Sequence, residues 1–137
     1  MIRRVPQRSS PKKIVLVAED EPDILRMVKT FLELEGYSVV EARNGEQAVE
    51  AAMRERPDLI LMDLNMPRLD GFGAAKRIRQ HPALREVPIL ANSAYGKFGM
   101  NFSLREDELK PGFTFYFTKP INFDELRELL NRLLDGS

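Results

Sequence analysis

The sequence predicts an α/β protein in which one parallel sheet lies between layers of helices. Three observations carry that expectation. Short continuous apolar runs alternate with segments whose apolar residues recur at helical spacing, and the alternation repeats five times along the chain. Turn and cap residues separate the two kinds of segment. A length of 137 residues suits one domain of ordinary size.

The first strand is Ile14–Ala18, an uninterrupted apolar run of the kind expected when a strand is buried on both faces. Pro22 and Asp23 then open a helix, suiting its first turn. Ile24, Met27, Val28, Phe31 and Leu32 are read as its apolar face, and Gly36 ends it. Ser38–Ala42 is the second strand. Asn44 is the expected N-cap of a helix that carries Ala48, Ala51 and Ala52 and stops before Pro57. Leu59–Met62 is the third strand, with Asp63 at its carboxyl edge, and a third helix covers about Phe72–Gln80. The fourth strand is read as Pro88–Ala91 and the fifth as Phe113–Phe117. Between them Ser103-Leu104-Arg105-Glu106 is a capping-box pattern and Pro111-Gly112 a stop, so the fourth helix is expected to be atypically short, about Leu104–Lys110. The last helix, about Phe123–Leu134, sets Leu126, Leu129, Leu130, Leu133 and Leu134 on one stripe. Right-handed crossovers leave few topologies at this size, and the flavodoxin-like strand order 2-1-3-4-5 is the commonest.

Composition excludes several classes of function. With 43% hydrophobic and 31% charged residues the body of the chain is neither disordered nor collagen-like. No apolar run approaches the roughly 20 residues of a membrane span. There is no cysteine, hence no disulfide framework, thiolate metal site or cysteine nucleophile, and the N-terminus has no apolar signal core. A cytoplasmic location is the expectation. The net charge is zero, yet Arg3, Arg4, Arg8, Lys12 and Lys13 all fall before the first strand without an acid among them. Residues 1–12 are expected to be a basic, solvated tail and 13–137 the folded domain.

In a sheet of this order the site lies at the carboxyl ends of the strands. Those ends carry Glu19, Asp20 and Glu21 after the first strand, Asp63 after the third, Ser93 after the fourth and Lys119 after the fifth. Carboxylates crowded together at neutral pH need a cation to stay ionised. An oxygen-only donor set favours a hard ion, and Mg²⁺ suits a small site that keeps several waters and shares a phosphoryl oxygen. A hydroxyl and an ammonium opposite the acids complete a pocket for a phosphoryl group, in which an aspartate can act as nucleophile towards phosphorus. Taken singly, Asp20 is equally a helix cap, Lys119 a loop lysine and Ser93 uninformative. Their joint placement on different strand ends is what points to chemistry.

Val15-Leu16-Val17-Ala18-Glu19-Asp20-Glu21-Pro22-Asp23-Ile24, Pro57-Asp58-Leu59-Ile60-Leu61-Met62-Asp63-Leu64-Asn65-Met66-Pro67, Asp70-Gly71 and Phe117-Thr118-Lys119-Pro120 together resemble the receiver domain of two-component response regulators, from about Lys13 to Leu134. The resemblance implies that a sensor histidine kinase, or a phosphotransfer protein, phosphorylates Asp63. It implies that Asp20, Asp63 and the backbone carbonyl of Asn65 bind Mg²⁺, with Glu19 acting through water. It further implies that Ser93 and Lys119 hold the phosphoryl oxygens, and that Tyr116 is the switch aromatic. Ser93 and Tyr116 would then transmit phosphorylation to the face formed by the fourth helix, fifth strand and last helix. Glu19 stands where the family usually has aspartate, and Ser93 where threonine is commoner. The interval from Ser93 to Lys119, 26 positions, is longer than usual.

The chain ends soon after the last helix, so a stand-alone receiver without a DNA-binding domain is expected, signalling through protein contacts and catalysing only its own phosphorylation and dephosphorylation. The resemblance further implies that Asn65 and Tyr95 flank the path of the attacking water, and the bulk of Tyr95 is expected to hinder attack on the phosphoryl group. Phe98, Met100 and Phe102, with Phe113, Phe115 and Tyr116, make an apolar surface that either packs down over the sheet or serves a homodimer or partner. Two rival readings come from other classes, and a third stays within the receiver class. An aspartyl-nucleophile phosphatase would need a second acid where Asn65 stands. A nucleotide-binding protein of flavodoxin type would need a Gly- or Ser/Thr-rich loop where the acidic Glu19-Asp20-Glu21-Pro22 turn stands. The third is a receiver that binds partners without being phosphorylated.

Overall fold

In the computed structural model, residues 11–93 and 112–134 are described. They form five parallel strands, β1 (Ile14–Ala18), β2 (Ser38–Ala42), β3 (Leu59–Asp63), β4 (Ile89–Ser93) and β5 (Phe115–Thr118), in the order β2-β1-β3-β4-β5. The described helices are α1 (Pro22–Leu34), α2 (Gly45–Glu55), α3 (Gly71–Gln80) and α4 (Phe123–Leu134), with a short 3₁₀ turn at Pro82–Leu84. This is the flavodoxin-like architecture. The readings of a short fourth helix at 104–110, of Tyr95, Phe98, Met100 and Phe102, and of nearly all of the basic tail lie outside the described residues.

Strand periodicity divides the core in two. Leu16, Ile60, Met62, Ile89 and Ala91 face α2 and α3, whose contact residues Ala48, Ala51, Ala52, Ala74 and Ala75 are small enough to bring the helices close. Val15, Val17, Leu59, Leu61 and Leu90 face the other layer, packing on Leu25, Val28 and Leu32 of α1 and Leu126, Leu129 and Leu130 of α4. The central strands β3 and β4 are buried throughout, whereas edge strands β2 and β5 are half solvated. Caps fall where the sequence places them: the Asn44 side chain accepts from Gln47 N at 2.8 Å, and Gln47 in turn accepts from Arg43 N at 2.8 Å.

Several element readings are corrected. The stripe of α1 that enters the core runs through Leu25, Val28 and Leu32, while Met27 is 52% exposed at the rim. A strict apolar count misses this because Ile24 and Phe31 flank the stripe and drag the apparent face round the helix. Strand β4 runs two residues past Ala91, because Lys119 N donates to Ser93 O at 2.7 Å and draws the β4 end into the ladder. Phe113 precedes β5 and packs on the α2–α3 side, whereas Phe115 lies against the α1–α4 core, so the two aromatics do not share one surface. Helix α3 begins at Gly71, one residue earlier than read, under an Asp70 side chain that accepts from Gly73 N at 2.9 Å.

Candidate functional site

The carboxyl end of the sheet collects polar side chains because apolar parity runs out there. Glu19 continues the face of Val15 and Val17, and Asp63 that of Leu59 and Leu61. Asn92 continues Leu90, and Lys119 continues Phe115 and Phe117. In the ladder Val17 pairs with Leu61 and Asp63 with Asn92, so Glu19, Asp63 and Asn92 stand side by side at one level. Asp63 itself is set by a tight turn: a Cβ on Gly71 would lie 2.5 Å from the Asp63 carbonyl oxygen, so only glycine lets α3 start this close to the strand end.

Lys119 reaches across these strands. Its Nζ lies 3.2 Å from each carboxylate oxygen of Glu19 and 3.4 Å from Asp63 Oδ2, and both acids are only 2% exposed. Backbone donors complete the acids: Glu21 N donates to Glu19 Oε2 at 3.2 Å, and Asn65 N to Asp63 Oδ1 at 3.1 Å. Asp20 is exposed and close by, and one oxygen from each of Glu19, Asp20 and Asp63 lies within 4.8 Å of the others. Ser93 is buried at the end of β4. Tyr116 is 37% exposed, with its ring centroid 5.7 Å from that of Phe113.

One ammonium does not neutralise three carboxyl groups. Burial, and then the Asp63 charge, push the Glu19 carboxyl up to about 7 despite the help of Lys119 and the Glu21 amide. Burial likewise raises Asp63 against the opposing pull of the Asn65 amide and Lys119. Burial alone would lower Lys119, but Asp63 and Glu19 outweigh it and the net shift is upward. The cluster is therefore short of positive charge, and its donors are all oxygens. That combination fits a hard divalent cation. The same acidity makes the N-terminus of α1 a poor seat for a nucleotide phosphate, since its cap residue Glu21 makes no side-chain capping bond and Glu19 and Asp20 precede it.

The structure brings together Glu19, Asp20, Asp63 and Lys119 by direct contact or proximity, and sets Ser93 and Asn65 at the adjoining chain ends. It adds Asn92, which sequence reasoning passed over. Its signal was available in the parity with Leu90, but ending β4 at Ala91 hid it.

The family profile for the response regulator receiver domain matches residues 15–131. The chain belongs to that family. It is 30% identical over 124 residues to the polar-differentiation response regulator DivK of Brucella anthropi, covering 90% of this chain and 97% of that one. It is 35% identical over 123 residues to a protein of Porphyridium aerugineum named probable transcriptional regulator ycf27, where 90% of this chain spans only about half, 48%, of the relative. Among solved structures, the receiver domain of sensor histidine kinase PA1611 from Pseudomonas aeruginosa, which has a magnesium ion coordinated in its active site cleft, is 35% identical with a TM-score of 0.78, covering 93% of this chain and all of that one. Chemotaxis protein CheY4 of Vibrio cholerae is 30% identical with a TM-score of 0.79, over 90% of this chain. The chain is thus a receiver domain of the two-component signalling type, the class of the regulators and sensor-kinase domain it matches. No helix among the described residues is long and apolar enough to cross a membrane.

Proposed function

We propose that Asp63 is the phosphoacceptor of this receiver, with a sensor histidine kinase or a phosphotransfer protein as donor. The observation that carries the reading is Lys119 Nζ held between Glu19 and Asp63, two acids 2% exposed, at the carboxyl end of the sheet. An Asp63 carboxylate oxygen attacks phosphorus; the new P–O bond forms as the bond from phosphorus to the donor imidazole nitrogen breaks, and the imidazole takes up a proton. Lys119 and the Ser93 hydroxyl hold the phosphoryl oxygens. Asp20, Asp63 and the carbonyl of Asn65 are the residues to hold Mg²⁺, with Glu19 acting through water; when bound, the ion offsets the negative charge of the acids and of the transferring phosphoryl group. The oxygen-only donor set and its missing positive charge support that assignment.

Loading Asp63 draws Ser93 towards the phosphoryl group and frees Tyr116 to turn inward, biasing a two-state surface near β5 and α4 that is read by another protein or a second copy. The chain then catalyses only its own phosphorylation and dephosphorylation. In this reading the receiver comprises residues 13–137, residues 1–12 are a basic tail, and the protein works in the cytoplasm, where kinase domains phosphorylate such receivers.

Incubation with a small acyl phosphate and Mg²⁺ followed by intact mass measurement tests the reading. The wild-type chain gains one phosphoryl mass and Asp63→Asn gains none. Phosphate mass on Asp63→Asn removes Asp63 from its role, and no gain on the wild type favours a receiver that signals without phosphorylation.

A further inference from the structure

Asn92 is 2% exposed, and its side-chain oxygen is the one buried side-chain nitrogen or oxygen without a hydrogen-bond partner among the described residues. Leaving a buried amide oxygen unpaired is costly, so such a group invites an explanation. Asn92 pairs with Asp63 in the β3–β4 ladder, and its side chain opens on a cavity of about 250 Å³. Ile24, Met27, Val28 and Phe123 give that cavity apolar walls, and Lys119 is the charged residue that lines it with Asn92. The unpaired acceptor therefore shares one cavity with a cation whose ion pairs are made to Glu19 and Asp63.

We infer that Asn92 is a positioning residue for Lys119: its amide oxygen is a second station that receives the ammonium when Glu19 gives up its bond. The inference rests on the reading of Glu19, Asp20 and Asp63 as a cation site. Glu19 cannot serve both the lysine and a divalent ion at full strength. Releasing it strips Lys119 of one of its two charged partners in a site that is largely dry. An acceptor within the same cavity lowers the cost of that release, and a neutral amide does so without adding a further negative charge to the three acids already present. The lysine stem is long and flexible, and the cavity gives its end room to move.

The test is a calorimetric Mg²⁺ titration of the full chain at pH 7.5 for the wild type, Asn92→Leu and Asn92→Gln. Asn92→Leu keeps the branched shape in a cavity with room for its larger methyl groups and removes the acceptor, and it is expected to weaken Mg²⁺ binding about tenfold, the worth of one hydrogen bond to a charged group. Asn92→Gln keeps an amide in a cavity with room for it and stays within about twofold of the wild type. A thermal midpoint of Asn92→Leu equal to or above that of the wild type shows that the loss is not a folding defect, because leucine suits apolar walls. Equal Mg²⁺ affinity for Asn92→Leu and the wild type overturns the inference, as does equal weakening by both variants, which would make side-chain shape the cause. Absence of Mg²⁺ binding by the wild type overturns the cation site itself, and the inference with it.

Discussion

Two partly buried cations hold opposite ends of this sheet, and they do so in different company. Lys119, at the carboxyl ends of the strands, touches two buried carboxylates. Arg79, near the amino end of β4, touches carbonyls: its Nη1 donates to Leu84 O and Arg85 O at 3.1 Å each and to Val87 O, and its Nη2 to Gly112 O at 3.3 Å. Burial lowers the pKa of Arg79, with a partial return from the Glu86 charge, whereas at Lys119 the acids reverse the effect of burial. The contrast separates support from chemistry. Arg79 satisfies neutral groups and leaves nothing over, tying α3, the 3₁₀ turn, β4 and the approach to β5 into one corner. Lys119 leaves the acids around it under-neutralised, and that residual negative charge is what a cation can use.

Removing Lys119 is the harshest way to test that contrast. Lys119→Met leaves Glu19 and Asp63 buried and without their counter-charge, a situation that costs about 3–5 kcal/mol when the groups must stay ionised. At pH 7.5 without divalent cation its thermal midpoint should fall well below that of the wild type, and at pH 5 most of the difference should vanish because the acids can protonate. A deficit of the same size at both pH values would mean that Lys119 acts by packing, as Arg79 does.

The wild type should show a milder version of the same strain. A carboxyl whose pKa is higher in the folded than in the unfolded chain binds an extra proton on folding, so its contribution is complete below the ordinary carboxylate range and is lost as pH rises through its folded value. For Glu19 that interval runs from 4.5 to about 7. The metal-free protein should therefore lose several degrees of thermal midpoint between pH 5 and pH 7.5, and Glu19→Gln should flatten much of that slope. A wild-type midpoint that rises over the same interval would show that Lys119 already compensates the acids in full.

How far this was legible beforehand follows the same division. Glu19, Asp63 and Lys119 could be placed because each ends an apolar run whose limits are local, and the strand order follows from the rhythm of those runs. Arg79 could not, and Asn92 only through its parity with Leu90, which an early end to β4 concealed. The true end of β4 is set by β5, through the bond from Lys119 N to Ser93 O, and a partner that arrives 26 positions later leaves no local mark. Arg79 reads as one more basic residue in the last turn of a helix, and its carbonyl partners come from a turn, a strand entry and Gly112, which meet only in the folded chain. The exposed Met27 was misread for a related reason: periodicity finds a face of α1 but not which part of it the sheet covers.

The smallest of these effects belongs to Arg79, and its value lies in having no pH dependence. Arg79→Met keeps the stem against α3 but leaves the carbonyls of Leu84, Arg85, Val87 and Gly112 with fewer donors, at a cost of about 1–3 kcal/mol. Arg79→Lys should recover only part of that loss, since one ammonium cannot span carbonyls that a planar fork reaches from two nitrogens. No carboxylate lies in direct contact with the guanidinium among the described residues, so both deficits should be the same at pH 5 and pH 7.5, and phosphorylation with a small donor should proceed at the wild-type rate. A deficit that grew with pH would show that Glu86 is a working partner of Arg79 rather than a distant charge, and the corner at the amino end would then resemble the carboxyl end more than its carbonyl contacts imply.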